Sequence, residues 1–287
     1  MSGLRTEQVI PRSLGGDLEL HRSICKACAE ITAGLERSVS RQMFGRMKLA
    51  LDRPVRERPG RASEHALQVH IDGQEQAILL TESLPLASAP ALPVFRVPGI
   101  LRGVPPSEGL TFSLERARAA ADSIVPIGSF ARMLAKIAHA SAVHQFGLGA
   151  FDALLPEIIT GKSSYPSYLV GGVGRLAEPD RPNDMPRFED GTHRVVFETA
   201  AVQSTTTFAD QSMAIHEYKY LCATLQLFRP VHNPLYLVVV GIPSDLLAQQ
   251  LDQLQQVHRM QESEADEGLD EPIVASFEEA ASSAAVR

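Results

Sequence analysis

Glu217–Phe228 (EYKYLCATLQLF), Arg229–Pro234 (RPVHNP) and Leu235–Ile242 (LYLVVVGI) read as strand, turn and strand. The second run is almost wholly apolar and too short for a typical helix, and prolines bound it, so it belongs in a core as a strand. The pair forms an antiparallel hairpin. Working outward, Arg194–Val202 is a further strand, and Ser244 caps a final helix whose Leu247, Leu251 and Leu254 form a stripe. The strongest helix is Ser129–Phe146. Phe130, Leu134, Ile137, Ala138 and Ser141 share one face of it, Arg132, Lys136 and His139 the opposite one, and Gly147 and Gly149 end it. His144 lies toward the apolar face and reads as a hydrogen-bonded core histidine.

Leu67, Val69 and Ile71 alternate with polar residues, and Asp72-Gly73 then turns the chain into Ala77–Leu80, a second hairpin. Six prolines between residues 84 and 106 predict an irregular cover rather than a central strand. Gly171-Gly172-Val173-Gly174 lacks the lysine and hydroxyl of a phosphate loop and reads as a turn. Glu217-Tyr218-Lys219, with Asp190 and Asp210 upstream, has the form of a nuclease Glu-x-Lys, but such tripeptides arise readily by chance. An exposed strand-edge ion pair is the better reading. The fold class expected is α+β, with residues 64–260 forming a domain of antiparallel hairpins.

With 287 residues, 44% of them hydrophobic, the chain can bury a real core. No run approaches twenty apolar residues, and Met1–Gly16 lacks the apolar region of a signal peptide. Three cysteines are too few for a disulfide scaffold. These features predict a cytoplasmic protein with no membrane partner. The net charge of −7 is uneven: residues 1–61 hold 12 Lys/Arg against 7 Asp/Glu, and residues 261–287 hold one against 8. The expected divisions are an N-terminal element at 1–52, a basic linker at 53–63, the domain at 64–260 and an acidic disordered tail at 261–287.

Within the first segment, residues 18–51 read as mostly helical. Leu35, Val39, Met43 and Met47 recur every four residues, and Arg37, Arg41 and Lys48 gather into a basic stripe. Just before it stand Thr6-Glu7-Gln8-Val9-Ile10-Pro11-Arg12-Ser13-Leu14-Gly15-Gly16 and Ile24-Cys25-Lys26-Ala27-Cys28-Ala29-Glu30. These resemble the HNH endonuclease family, in the branch with Glu-His, two aliphatics, Pro and Leu-Gly-Gly, then Cys-x-x-Cys-Asn. The resemblance covers residues 6–45. It implies a ββα element holding one divalent ion such as Mg²⁺, with a histidine that activates water and a structural zinc held by two cysteine pairs.

The match keeps the acidic position as Glu7, a metal ligand by this resemblance, and keeps Pro11, Gly15, Gly16, Cys25 and Cys28. It departs at the base position, Gln8, whose amide cannot take a proton, and at Ala29, which has no donor atom in place of the last ligand. The family's upstream cysteine pair is missing, which a start placed too late would explain. His21 could supply a base or ligand from a shifted place. Cys25 and Cys28 alone make a weak half site for Zn²⁺. The leading expectation is an HNH-like protein that binds DNA or another nucleic acid through Arg12, Arg37, Arg41 and Lys48, with phosphodiester hydrolysis lost or impaired. The alternatives are an active HNH endonuclease with a truncated N-terminus or rebuilt metal site, and a non-enzymatic module that binds a protein partner.

Overall fold

The computed structural model describes residues 3–44, 65–71, 74–80, 92–106, 112–113, 127–176, 187–189, 193–207, 213–227 and 234–267. Lys48, the linker at 53–63, Asp190, Asp210 and the tail from 268 lie outside these residues. The chain opens with β1 (Arg5–Gln8) and β2 (Glu19–Ile24), paired antiparallel, and continues into α1 (Lys26–Gln42). Residues 19–24 are therefore strand, not helix as the sequence reading had it. The fourfold recurrence behind that reading begins only at Leu35, and the helix cannot start before its cap at Cys25, whose sulfur accepts the Cys28 N–H.

The hairpin expected after the linker is β3 (His65–Ile71) and β4 (Gln74–Leu80), in register from His65↔Leu80 to Ile71↔Gln74. Of the proline-rich segment, residues 84–91 lie outside the described residues; the described part, 92–106, is irregular as its composition predicts, with the two-residue strand β5 (Val94–Phe95), paired with β6 (Phe112–Ser113), and one 3₁₀ turn at Gly99–Arg102.

Next come α2 (Ile127–Phe146), β7 (Phe151–Ala153), the short α3 (Pro156–Thr160) and β8 (Val170–Leu176). Then follow β9 (Arg187–Glu189), β10 (Arg194–Thr207), β11 (Met213–Gln226), β12 (Pro234–Pro243) and α4 (Asp245–Glu267). Six of these strands form one antiparallel sheet in the order β7-β12-β11-β10-β9, with β8 following β7 along the same edge of β12. The decisive stretch is thus the β11–β12 hairpin, with Cys222 opposite Val239.

The Gly171-Gly172 stretch is strand rather than turn. A Cβ on Gly171 would lie 2.3 Å from the carbonyl oxygen of Arg96, and one on Gly172 2.9 Å from that of Phe95, so these glycines let the cover lie directly on the sheet. Helix α4 is capped by Ser244, whose hydroxyl accepts the Leu247 N–H at 3.4 Å, and continues through Glu267, so that residues 261–267 of the expected tail are helical. It is held to β10 by Thr199, which donates to Asp252 at 2.6 Å.

Helix α2 sits in the middle, with the sheet on one side and α1 and α3 on the other. It is buried nearly all round, from Phe130 to Ala142, and its many alanines allow neighbours to approach closely. Phe130 links the layers: its ring centroid is 6.2 Å from Phe44 beyond α1 and 5.2 Å from Tyr236 of β12. Two expectations about α2 change in consequence. The Arg132–Lys136–His139 face is turned inward, Arg132 against α3, Lys136 against β1 and α1, and His139 edge-on to Phe151 of β7, and His144 is exposed, because the last turn of the helix runs out of the core. The fold is a mixed α+β arrangement with antiparallel sheets.

Candidate functional site

The N-terminal hairpin is built around a tight turn. Val9 and Ile10 are fully buried, and Pro11–Leu14 closes through the Leu14 N–H to Pro11 O at 2.8 Å. Gly15 takes φ of 101°, a left-handed conformation open to glycine, and a Cβ on Gly16 would lie 2.3 Å from Ile10 O. His193, wholly buried just before β10, is 3.0 Å from Leu14 O; its Nε2 must donate, since a carbonyl only accepts. The retained Pro11, Gly15 and Gly16 of the HNH-like motif are thus the residues that shape this turn.

Gln8 is part of the same construction. Its Oε1 accepts the Arg12 N–H at 2.7 Å, and its Nε2 is 3.5 Å from Glu19. An amide does this as well as any acceptor, with no proton to exchange. Side chains alternate along β1, so Thr6 faces outward and Glu7 inward. His21 follows Thr6: its Nδ1 is 3.4 Å from Thr6 Oγ1 on the exposed face. The three candidate catalytic residues, Glu7, Gln8 and His21, are therefore not gathered at one point.

Glu7 meets a residue the sequence reading had placed only on a helix face. Lys136 of α2 is 3% exposed, and its ammonium lies 2.9 Å from Glu7 Oε1 and 2.9 Å from Glu36 Oε1 of α1. It also donates to the backbone carbonyl of Gln8. The Glu36 contact is an ion pair off the line of a hydrogen bond. An ammonium has three protons, and here they face two carboxylates and a carbonyl contributed by β1 and α1. A buried charge needs such partners. The signal in the sequence was a single lysine amid the alanines and apolar residues of a twenty-residue helix; no pattern identified its two acids.

Cys25 is exposed at the N-cap of α1, and its Sγ accepts the Cys28 N–H at 3.4 Å. That bond, with one from the Cys28 side chain, holds the Cys25 thiol below its ordinary value, whereas donation to Cys25 and burial push Cys28 up. Among the described residues no group of three or more His, Cys, Asp or Glu gathers to hold a metal ion. Among those residues Cys25 and Cys28 stand as two thiols with no third ligand group beside them, and Glu7, a candidate third, faces Lys136 instead.

Of the proposed phosphate contacts, Arg12 is exposed but paired with Glu19 at 2.5 Å. Arg37 and Arg41 are exposed four residues apart on α1, with Arg37 Nε bonded to Ala33 O at 3.1 Å. Lys219 pairs with Asp252 at 2.5 Å, so the Glu-x-Lys stretch contributes a surface ion pair to the packing of α4. Among the described residues no helix is long and apolar enough to cross a membrane. In comparisons with known proteins, no family model matches the chain, and no curated protein and no solved structure matches it.

Proposed function

We propose that this chain is an HNH-derived nucleic-acid-binding protein in which phosphodiester hydrolysis has been lost. The observation that carries the reading is the Lys136 ammonium on Glu7, the one acidic ligand position kept from the motif. A divalent ion there would compete with a cation the chain itself supplies, and Glu36 is engaged in the same way. Gln8 and Ala29 agree with it: the first is used in a turn and has no proton chemistry, and the second has no donor atom. Within the motif, the positions that match serve the fold and those that depart would serve the chemistry. The β1–β2–α1 order is that of a ββα element and is compatible with this descent.

Binding would fall to cations on the exposed face of α1, Arg37 and Arg41, since Arg12 is already neutralised by Glu19. The test joins plasmid nicking in Mg²⁺ or Mn²⁺ with the salt dependence of DNA binding. The expected result is no nicking, together with binding that weakens as salt rises. Replacing both Arg37 and Arg41 by Gln should reduce the slope of log affinity against log salt by about 0.9 per lost phosphate contact. Metal-dependent nicking abolished in Glu7→Gln, or a flat salt slope, would overturn the proposal.

A second reading, binding of a protein partner, is favoured by apolar side chains left in solvent on one face of α4: Val257 is 48% exposed and Met260, three residues on, 58%. Val257→Ser with Met260→Ser separates the two, because it should abolish capture of such a partner and leave the salt slope unchanged.

A further inference from the structure

We propose that Cys25 and Cys28 form a site of thiol–disulfide exchange, with Cys25 as the attacking sulfur and Cys28 as the resolving one. The pair is placed for this by capping geometry. Cys25 is the N-cap residue of a seventeen-residue helix, with an extended backbone (φ −75°, ψ 162°), so its side chain folds back over the first turn onto Cys28. There its sulfur accepts the Cys28 N–H at 3.4 Å and lies beside the Cys28 thiol. Disulfides demand close, inward-facing Cβ positions, and an N-cap cysteine with its partner three residues on meets that demand with little backbone movement.

The two sulfurs are also unequal. Cys25 is exposed at the start of α1, while Cys28 is half-buried beneath it, so an incoming disulfide reaches the Cys25 sulfur first. The remaining cysteine, Cys222, is fully buried in β11 and serves as an internal control. Among the described residues no third ligand stands with the pair.

The co-reactant is a low-molecular-weight disulfide of the oxidised glutathione type. The Cys25 thiolate attacks one of its sulfurs, forming a mixed disulfide and expelling the first glutathione thiolate. Cys28, losing its proton to solvent, attacks the Cys25 sulfur and expels the second. The protein dithiol is oxidised by two electrons, and the added disulfide is reduced to two thiols.

The full chain is treated with oxidised glutathione, alkylated and digested with trypsin without reductant. Lys26 lies between the cysteines, so cleavage after it separates Ser23–Lys26 from Ala27–Arg37 unless a disulfide joins them. The expected result is that joined pair in the native sequence and an arrested glutathione adduct on Cys25 in Cys28→Ser. In Cys25→Ser, modification of Cys28 should be at least about tenfold slower, and Cys222 should be alkylated only after denaturation. The proposal is overturned if Cys28 reacts as fast as Cys25, if the native adduct does not resolve, or if both thiols are blocked by zinc until a chelator is added. None of these outcomes depends on whether the chain binds nucleic acid.

Discussion

Truncating Lys136 would leave Glu7 and Glu36 facing each other in a space where their side chains are only 16% and 22% exposed, with no cation between them. Removing one partner from a buried ion pair costs about 3–5 kcal/mol, much of it from stranding the charge left behind. Lys136→Met should therefore lower stability by that order in urea unfolding. Adding Glu7→Gln and Glu36→Gln to the same chain should restore most of it, since the stranded charges are then gone. A second residue of α2 gives a pH signature. His139 is largely buried, its Nδ1 has no hydrogen-bond partner, and burial lowers its pKa from the ordinary 6.5. The folded state then binds fewer protons than the unfolded one between the lowered pKa and 6.5, so stability is full above 6.5 and falls as pH drops through that window. His139→Leu should flatten the dependence of unfolding free energy on pH below 6.5, and an unchanged slope would assign the effect elsewhere. Neither role could be read from the sequence, because a lysine and a histidine on one side of an amphipathic pattern look like a solvated face until something is packed against it.

Elements were legible where one period dominated. The β11–β12 hairpin and the helix at 127–146 announce themselves through long apolar runs of distinct period, and the proline-rich cover through its lack of one. β2 and β8 did not. In β2 a short strand runs into a helix with one residue between them, so the stronger helical pattern spread over it. In β8 the glycines that imitate a turn are there for close approach by another segment, a fact about residues 95–98 that local sequence does not contain. This makes a prediction for the element. Gly171→Ala would place a methyl group against the backbone of Arg96 and Pro98, neither of which is a flexible side-chain end. Overpacking of this kind costs roughly 1–3 kcal/mol. The loss should appear as a lower melting temperature, with faster hydrogen exchange concentrated at residues 92–98 and 170–172.

At the scale of the molecule, the question is whether residues 3–44 are an appendage or part of the body. Val9, Ile10, Leu14, Leu35, Val39, Met43 and Phe44 are all buried in the same core as α2 and the sheet. Burying each large apolar side chain contributes about 1.5–3 kcal/mol, so together they supply on the order of 10 kcal/mol or more, comparable to the whole stability of an ordinary domain. The ion pairs from Lys136 and the bond from His193 to Leu14 O cross the same boundary. Calorimetry of the intact chain should show one cooperative transition for the N-terminal segment and the sheet together. A chain beginning at residue 45 should lose that transition and bind a hydrophobic dye, since Phe130 and the Lys136 charge would be stripped of their covering. A truncated chain that still melted cooperatively near the original temperature would show that the segment adds little to the core. On the proposed reading, substitutions at Arg37 and Arg41 would silence nucleic-acid binding and leave the core intact, whereas deleting the segment would lose the fold that carries it.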